Sequence, residues 1–520
     1  MILRVIIAVG MALYATLLTM RHNLHMFQLN GYKNGEHIRW LKKNLRQQWL
    51  LYFGLTVGVV RLFFPALGLD ILIYLTLFMD ILVYRALHRL NNKTPLKYTA
   101  RVKRLIVTMV LLCAVMSVTL FFGFGWESLS GIAIIVVSVQ WFFDILANIV
   151  NHPIEKGISD WYINDAKKRL KSMPNLKVIG ITGSYGKTSM KYYLKTLLQN
   201  KYNVLMTPGN FNTPLGVTIT VRRDLKPTHE IFLCEMGARH VGDIKEVCDI
   251  AHPDMGIITS IGPQHLETFF TMENIQKTKF ELADALPEGG KIFLNGDNEY
   301  IQEKAKEYSN TTFYYSENDG AGYKAKDVSV SQMGTEFTVV TPEGEEERFT
   351  MKLIGAHNVI NVVGAIGVAH SLGMSLKELK VPVRRIQPVE HRMEMKPHGD
   401  VTIIDDAYNS NPVGSKAAVE TLKMFDGIRI LITPGMVELG DKEEEYNYKF
   451  GTYAADCCDY ILLVGAKHTK PIYDGVLSKD FPKEKLFVFD KLEEALNQAY
   501  RIKGQGQKYI LLENDLPDNY

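Results

Sequence analysis

The stretch GITGSYGKTS, residues 180–189, carries the residue types of a phosphate-holding loop. Gly183 and Gly186 let backbone N–H groups turn inward. Lys187 can reach the outer phosphates of a nucleotide, and the Thr188 hydroxyl can ligate magnesium. The spacing departs from the general G-x-x-x-x-G-K-[ST] pattern, because Ile181 stands where the first glycine is expected. Further along come Glu235, His265, Lys279 and Asn295. Taken singly, Glu235 reads as a helix cap, His265 as a loop histidine and Lys279 as a solvated helix residue. Together with the loop they make a Mg-ATP site.

The elements around these residues fit that chemistry. LKVIGIT, residues 176–182, is a short run rich in β-branched residues, and SMKYYLKTLLQN has helical spacing, so the loop joins a strand to a helix. Strand–helix alternation continues, with strands ending at Glu235, before His265, and at Asn295 and Asp297, and with a helix carrying Lys279. In open α/β sheets ligands sit at the carboxyl ends of strands. From Asp400 onward, VTIIDDAY, IRILITPGM, YILLVGA, LFVFD and KYILLEND read as buried strands of a second, smaller Rossmann-like α/β domain. It has no G-x-G-x-x-G, so a dinucleotide is not implied.

Six motifs in this order resemble the Mur ligase family, closest to its D-alanyl-D-alanine-adding type. They are T-G-S-x-G-K-T at Thr182–Thr188, E-M-G-A at Glu235–Ala238, S-I-G-P-x-H-L-E at Ser260–Glu267, K-x-E at Lys279–Glu281, H-N-V-I-N at His357–Asn361 and D-D-A-Y-N-S-N-P at Asp405–Pro412. The resemblance implies an ATP-dependent acid–amino-acid (peptide) ligase of cell-wall biogenesis that works through an acyl phosphate on a peptidoglycan-like precursor. It also implies roles. Thr182, Gly183, Ser184, Gly186, Lys187, Thr188 and Ser189 would hold the nucleotide phosphates, and Asn295, Asn358 and Asn361 its adenine side. Arg392 and Asp406 would close over it from the second domain, Lys187 and Arg392 acting in catalysis. Thr188 and Glu235 would hold one Mg²⁺. His265 and Lys279 would serve a second and act in catalysis, Lys279 as a carbamylated lysine. Asn210, Asn212 and Thr213 would face the carboxylate acceptor. The amine would be an amino acid or dipeptide. A hinge is expected at residues 381–388, VPVRRIQP. Two departures stand out. The family's UDP-sugar-binding N-terminal domain is replaced, and LLENDLPDNY ends the chain where the type carries a basic K-G-S-R-like stretch. Phe280, beside Lys279, is expected to tighten the metal pocket.

Composition divides the 520-residue chain, whose net charge is +3 with 22% charged residues, so no nucleic-acid footprint is evident. The five cysteines form no C-x-x-C pair, which argues against structural zinc and disulfides and for a reducing compartment. The first 150 residues are apolar and basic. Stretches 2–20, 49–67, 69–84, 105–124 and 132–150 are long enough to cross a bilayer of roughly 30 Å. Basic residues cluster at 21–46 and 85–104, while the turn at Gly68 and GWESLS lack them. The pattern predicts about five spans with the N-terminus outside and the catalytic domains in the cytoplasm, hence a multi-pass bacterial membrane protein. The expected domains are 1–151 (α-helical, transmembrane), 152–174 (linker), 175–385 (the P-loop ATPase domain) and 386–520 (the Rossmann-like domain). Membrane lipids and a lipid- or nucleotide-linked acceptor are the expected partners. A poly-γ-glutamate-synthase-like ligase and a non-catalytic membrane scaffold for wall synthesis are the alternatives.

Overall fold

The computed structural model describes residues 2–89, 95–308, 312–316, 322–331, 334–408, 410–504 and 506–515. Asn409 of the D-D-A-Y-N-S-N-P motif, Lys93 of the second basic loop and residues 516–520 lie outside them. The chain forms two compact units, Met1–Asp160 and Trp161–Leu516.

The first unit is helical: Ile2–Leu29, Asn34–Lys43, Leu45–Phe63, Asp70–Arg89, Ala100–Phe124, Leu129–Ser138 and the start of Gln140–Lys171. Its core holds Ala12, Ala15, Leu51, Ile73, Leu77 and Ile134. Gly58 allows a close helix crossing, since a Cβ there would meet the Ile135 side chain at 2.6 Å. Arg104 grips Glu155 with two hydrogen bonds of 2.6 and 2.9 Å.

The reading of this unit as a five-span, multi-pass membrane domain does not hold. Among the described residues only Ala100–Phe124 is by itself long and apolar enough to cross a membrane. Trp126–Ser138 and Gln140–Lys171 pass together only as a pair bent by 66°. Polar residues interrupt the other apolar runs on the same helices. Ile2–Leu29 continues through Arg21, His22 and Asn23; Leu45–Phe63 carries Arg61; Asp70–Arg89 carries Asp70 and Asp80. With those spans go the multi-pass localisation and the orientation argued from loop charge. Residues 152–171 of the expected linker continue the helix Gln140–Lys171.

The second unit contains two sheets. The strands of the first are β1 (Lys177–Thr182), β2 (Val204–Met206), β3 (Ile231–Glu235), β4 (Met255–Ile258), β5 (Lys291–Asn295), β6 (Thr312–Ser316), β7 (Tyr323–Ser331), β8 (Gly334–Val340) and β9 (Glu346–Met351). Their order is β2-β3-β1-β4-β5-β6-β7-β8-β9. The pairs from β2 to β7 are parallel, and β7–β8 and β8–β9 are antiparallel. β3 and β4 are wholly buried, as strands covered on both faces must be, and their sequences are correspondingly apolar. One face packs on the helix Lys187–Leu198 through Met190, Leu194 and Leu197. The other packs Ile244, Val247, Ile275 and Leu282.

Residues 385–393 lead without regular structure into the second sheet. Residues 381–384 of the expected hinge finish the helix Leu376–Arg384, which contains Pro382. The second sheet comprises β10 (Glu394–His398), β11 (Val401–Asp406), β12 (Ile428–Thr433), β13 (Tyr460–Val464), β14 (Leu486–Phe489) and β15 (Lys508–Glu513), in the order β10-β11-β15-β12-β13-β14. All its pairs are parallel except β10–β11. The α/β architecture of both parts agrees with the sequence reading.

Candidate functional site

The carboxyl ends of β1, β3, β4 and β5 lie side by side, because these strands are neighbours in the parallel sheet. The loop after β1 is shaped by its two glycines. Gly183 has φ +148°, and a Cβ there would sit 2.1 Å from Thr259 Oγ1. Gly186 has φ +78° and faces the Asn361 amide, which a Cβ would approach to 3.1 Å. Thr182 and Ser184 brace the loop rather than line it: Thr182 Oγ1 donates to Met236 O at 3.0 Å and Ser184 Oγ to Gly262 O at 3.0 Å. The helix Lys187–Leu198 begins at Gly186, so its first N–H groups face the loop, an arrangement suited to an anion.

Lys187 folds back on the loop, donating to Gly183 O at 2.6 Å and Ser184 O at 3.0 Å. Burial pushes its ammonium down to about 8, and Arg392 pushes the same way against Glu235. Thr188 Oγ1 donates to Glu235 Oε1 at 3.2 Å. The same oxygen accepts from Asn212 Nδ2 at 3.1 Å, so the expected acceptor segment touches the expected metal carboxylate. Asn210 is exposed nearby, and Thr213 serves as a helix cap, its hydroxyl accepting from Gly216 N at 3.3 Å.

A cleft of about 380 Å³ gathers Gly186, Ser189, Asn295, Asn358, Asn361, Arg392 and Asp406. Both halves of the second unit therefore contribute walls, and the cleft gathers residues that the family resemblance assigns to a nucleotide. Asn295 Nδ2 is held by Thr259 O at 2.9 Å, and Asn358 Oδ1 accepts from Tyr193 Oη at 2.8 Å. Arg392 stacks over Tyr408, 4.6 Å from the ring centroid. Burial pushes Asp406 up to about 6 although Arg392 opposes it. Glu513 adds a further buried carboxylate to the wall; it accepts from Thr433 Oγ1 at 2.8 Å and from the Ser410 hydroxyl.

His265 and Lys279 lie outside the lining of that cleft. His265, at φ 52°, turns its Nδ1 to Glu438, a residue the sequence reading passed over. Glu438 also pairs with Arg239 at 3.3 Å, so the second α/β part reaches the histidine through one carboxylate. Burial lowers the pKa of His265 despite Glu438. Lys279 is buried, and desolvation with the nearby Lys187 charge holds its pKa well below the usual lysine range. Phe269, not Phe280, stands against it, 5.9 Å from Nζ. Phe280 points into the core beside Tyr308, which corrects the expectation that it narrows a metal pocket. Glu281 of K-x-E is a structural group, accepting from Gly242 N at 2.7 Å and Lys245 N at 2.9 Å.

The oxygen donors Thr188 and Glu235, at the foot of a phosphate-type loop, fit one magnesium ion. The second set does not fit as it stands. An ammonium offers no lone pair, and no group of three His, Cys, Asp or Glu able to hold a metal occurs among the described residues.

The Mur ligase middle domain matches residues 181–369, and the Mur ligase glutamate ligase domain matches residues 391–513. The UDP-N-acetylmuramoyl-tripeptide–D-alanyl-D-alanine ligase of Bacillus subtilis is 32% identical over 334 residues, 64% of this chain and 71% of that one. The ligase of the same name from Haemophilus influenzae is 31% identical over 362 residues, covering 68% and 78%. Two solved structures are similar, each with a TM-score of 0.62. MurF of Acinetobacter baumannii is 26% identical and covers 68% of this chain and 77% of its own. MurF ligase of Thermotoga maritima in complex with ADP is 25% identical and covers 69% and 80%. The helical segment before residue 161 lies outside both domain matches. With the loop, the facing carboxylate and the two-sided cleft in place, the chain belongs to the Mur ligase family and is an ATP-dependent peptide ligase.

Proposed function

We propose that this ligase joins a short peptide amine, D-alanyl-D-alanine by likeness to its relatives, to the terminal carboxylate of a UDP-N-acetylmuramoyl-tripeptide. The observation that carries the proposal is the contact of Asn212 and Thr188 with one oxygen of Glu235. It sets the acceptor segment against the phosphate loop, where a carboxylate can meet the γ-phosphate.

The acceptor carboxylate oxygen attacks the γ-phosphorus, the bond to the β-phosphate bridging oxygen breaks, and ADP leaves. The amine nitrogen then attacks the acyl carbon, loses a proton, and phosphate departs with the C–O electrons. Lys187 swings from its loop carbonyls onto the phosphates, and Arg392 adds charge from the opposite wall. Gly183, Gly186 and Ser189 cradle the phosphates, with Thr182 and Ser184 bracing the loop; Asn295, Asn358, Asn361 and Asp406 hold the nucleoside side. Asn210, Asn212 and Thr213 orient the acceptor. Thr188 and Glu235 would hold magnesium, which would supply charge neutralisation at the transferred phosphoryl group. Burial, by lowering the Lys279 pKa, favours the amine form that adds CO₂, and the carbamate would bring a second carboxylate, besides Glu438, toward His265. The cleft excludes water from the acyl phosphate. In domain terms, residues 175–385 would bind ATP and acceptor, and residues 386–520 would close on them and receive the amine.

Full-length protein with Mg-ATP, UDP-N-acetylmuramoyl-tripeptide and D-alanyl-D-alanine tests this. Stoichiometric ADP and a product heavier by the dipeptide less one water are expected, with Lys187→Ala lowering turnover by about 10³-fold or more. ADP release without that product, or full turnover in Lys187→Ala, would refute the proposal.

A further inference from the structure

Lys191 attracts no notice in the sequence, being one more lysine on a helix that also carries Lys195. In the structure it is fully buried, one turn beyond Lys187 on the face turned toward β3. Its Nζ donates to Glu235 Oε2 at 2.7 Å and to Gly209 O at 2.7 Å. Glu235 is equally buried, its side chain 2% exposed. The carboxylate is thus divided. Oε2 belongs to Lys191, and Oε1 to Thr188 and Asn212. Gly209 adjoins and Asn212 belongs to the segment expected to face the acceptor, and Glu235 N in turn donates to Thr207 Oγ1 at 3.1 Å, at the root of that segment. Glu235 therefore has ties to the acceptor segment at both ends of the residue.

A buried ion pair is a poor source of stability, because desolvating two charges offsets most of their attraction. Its value here lies in geometry. A cation 2.7 Å from Oε2 fixes the carboxylate plane and withdraws one oxygen from any other ligand. It also opposes a second cation at the same carboxylate, in a site where screening by water is weak.

We propose that Lys191 is a positioning residue of the ligation site: it presents Glu235 Oε1 alone to the divalent ion and ties that carboxylate to the acceptor segment, so that acceptor and ion each sense the other. The inference rests on the ligase reading above, with Thr188 and Glu235 as ion ligands. Coupling of this kind is reciprocal, so disturbing the tie changes both affinities.

The test uses full-length protein with Mn²⁺ as the probe, free Mn²⁺ being followed by electron paramagnetic resonance in the presence of ADP. Lys191→Gln removes the opposing charge but keeps a donor. It should bind Mn²⁺ about fivefold more tightly or better, while turnover with UDP-N-acetylmuramoyl-tripeptide falls about thirtyfold. Tighter ion binding with slower turnover is a pairing that simple loss of packing does not produce. Lys191→Arg keeps the charge, but its planar fork cannot repeat both contacts. Its Mn²⁺ affinity should stay within about threefold while the acceptor KM rises about fivefold. Unchanged or weaker Mn²⁺ binding in folded Lys191→Gln overturns the inference. If Lys191→Gln does not fold, Lys191→Arg decides: an unaltered acceptor KM overturns it and the predicted rise supports it. Lys187→Ala is the control that separates the two readings. If it turns over like the unsubstituted protein, the ligase reading fails; if it is inactive and Lys191 variants behave normally, only this inference fails.

Discussion

The helical unit and the ligase unit treat buried polarity in opposite ways. Among the described residues, all but one of the buried side-chain nitrogen and oxygen atoms without a hydrogen-bond partner lie in the helical unit; the exception is Thr218 Oγ1. There, both oxygens of Asp80 and of Asp144 are unpartnered, as are Gln48 Nε2 and Trp141 Nε1. In the ligase unit the comparable carboxylates are all engaged. Glu235 has Lys191, Thr188 and Asn212, and Glu513 has Thr433 and Ser410. Unpaired buried groups cost free energy, whereas paired ones fix geometry. The ligase unit is thus built to hold a constellation in place. Disturbing it should cost stability, while neutralising a charge in the helical unit should gain it.

The largest effect is expected at the phosphate loop. Gly183→Ala forces a Cβ against Thr259 Oγ1 at a φ of +148°, which should destabilise the ligase unit by about 3 kcal/mol. Hydrogen exchange at the β1 and β4 amides measures this, and unchanged protection would show the loop to be more pliant than its geometry implies.

Asp80 tests the other side of the comparison. Burial raises its carboxyl from 3.8 to about 7. The folded state therefore prefers the protonated form. The group costs nothing below the unfolded value, its cost grows as pH rises toward 7, and above that it is constant. Asp80→Asn should stabilise the helix Asp70–Arg89 by on the order of 1–2 kcal/mol at pH 8 and by almost nothing near pH 4. Amide exchange of that helix at the two pH values is the measurement; equal effects at both would remove the charge argument.

Thr213→Ala gives the smallest change. Loss of the cap at the helix Pro214–Asp224 should cost about 1 kcal/mol. If Thr213 acts only as a cap, Thr213→Ser should restore stability and turnover together. Stability restored without turnover would give the methyl group a part in seating the acceptor.

Much of the ligase unit was legible in the sequence. The unusual spacing around Ile181 belongs to a loop whose turns are made by Gly183 and Gly186 alone, and Ile181 itself is buried in β1. The runs that became β1, β3, β4 and β5 are largely apolar because both faces of that sheet are covered, and their shortness and β-branched content mark them as strands where periodicity cannot. The antiparallel extension β7–β9 was missed, since YKAKDVSVS and EERFTM alternate polar residues on a half-exposed edge. β10 escaped notice because EMKPH is short and offers only Met395 to the core among charged and turn-forming residues. Lys191 and Glu438 were invisible because a charged residue on a helix or in a loop normally faces water, and only tertiary structure reveals its burial or its partner. The helical segment misled most. Counting apolar residues along 2–20, 49–67 and 69–84 overlooks that the helices run on through Asn23, Arg61 and Asp80, which are buried within the unit.

The central claim is that the loop at residues 180–189 delivers the γ-phosphate to a carboxylate. It is tested most directly by labelling that carboxylate with ¹⁸O. UDP-N-acetylmuramoyl-tripeptide so labelled should yield inorganic phosphate carrying one ¹⁸O atom per turnover, because the bridging oxygen of the acyl phosphate leaves with phosphorus. Unlabelled phosphate accompanying amide product would contradict the account.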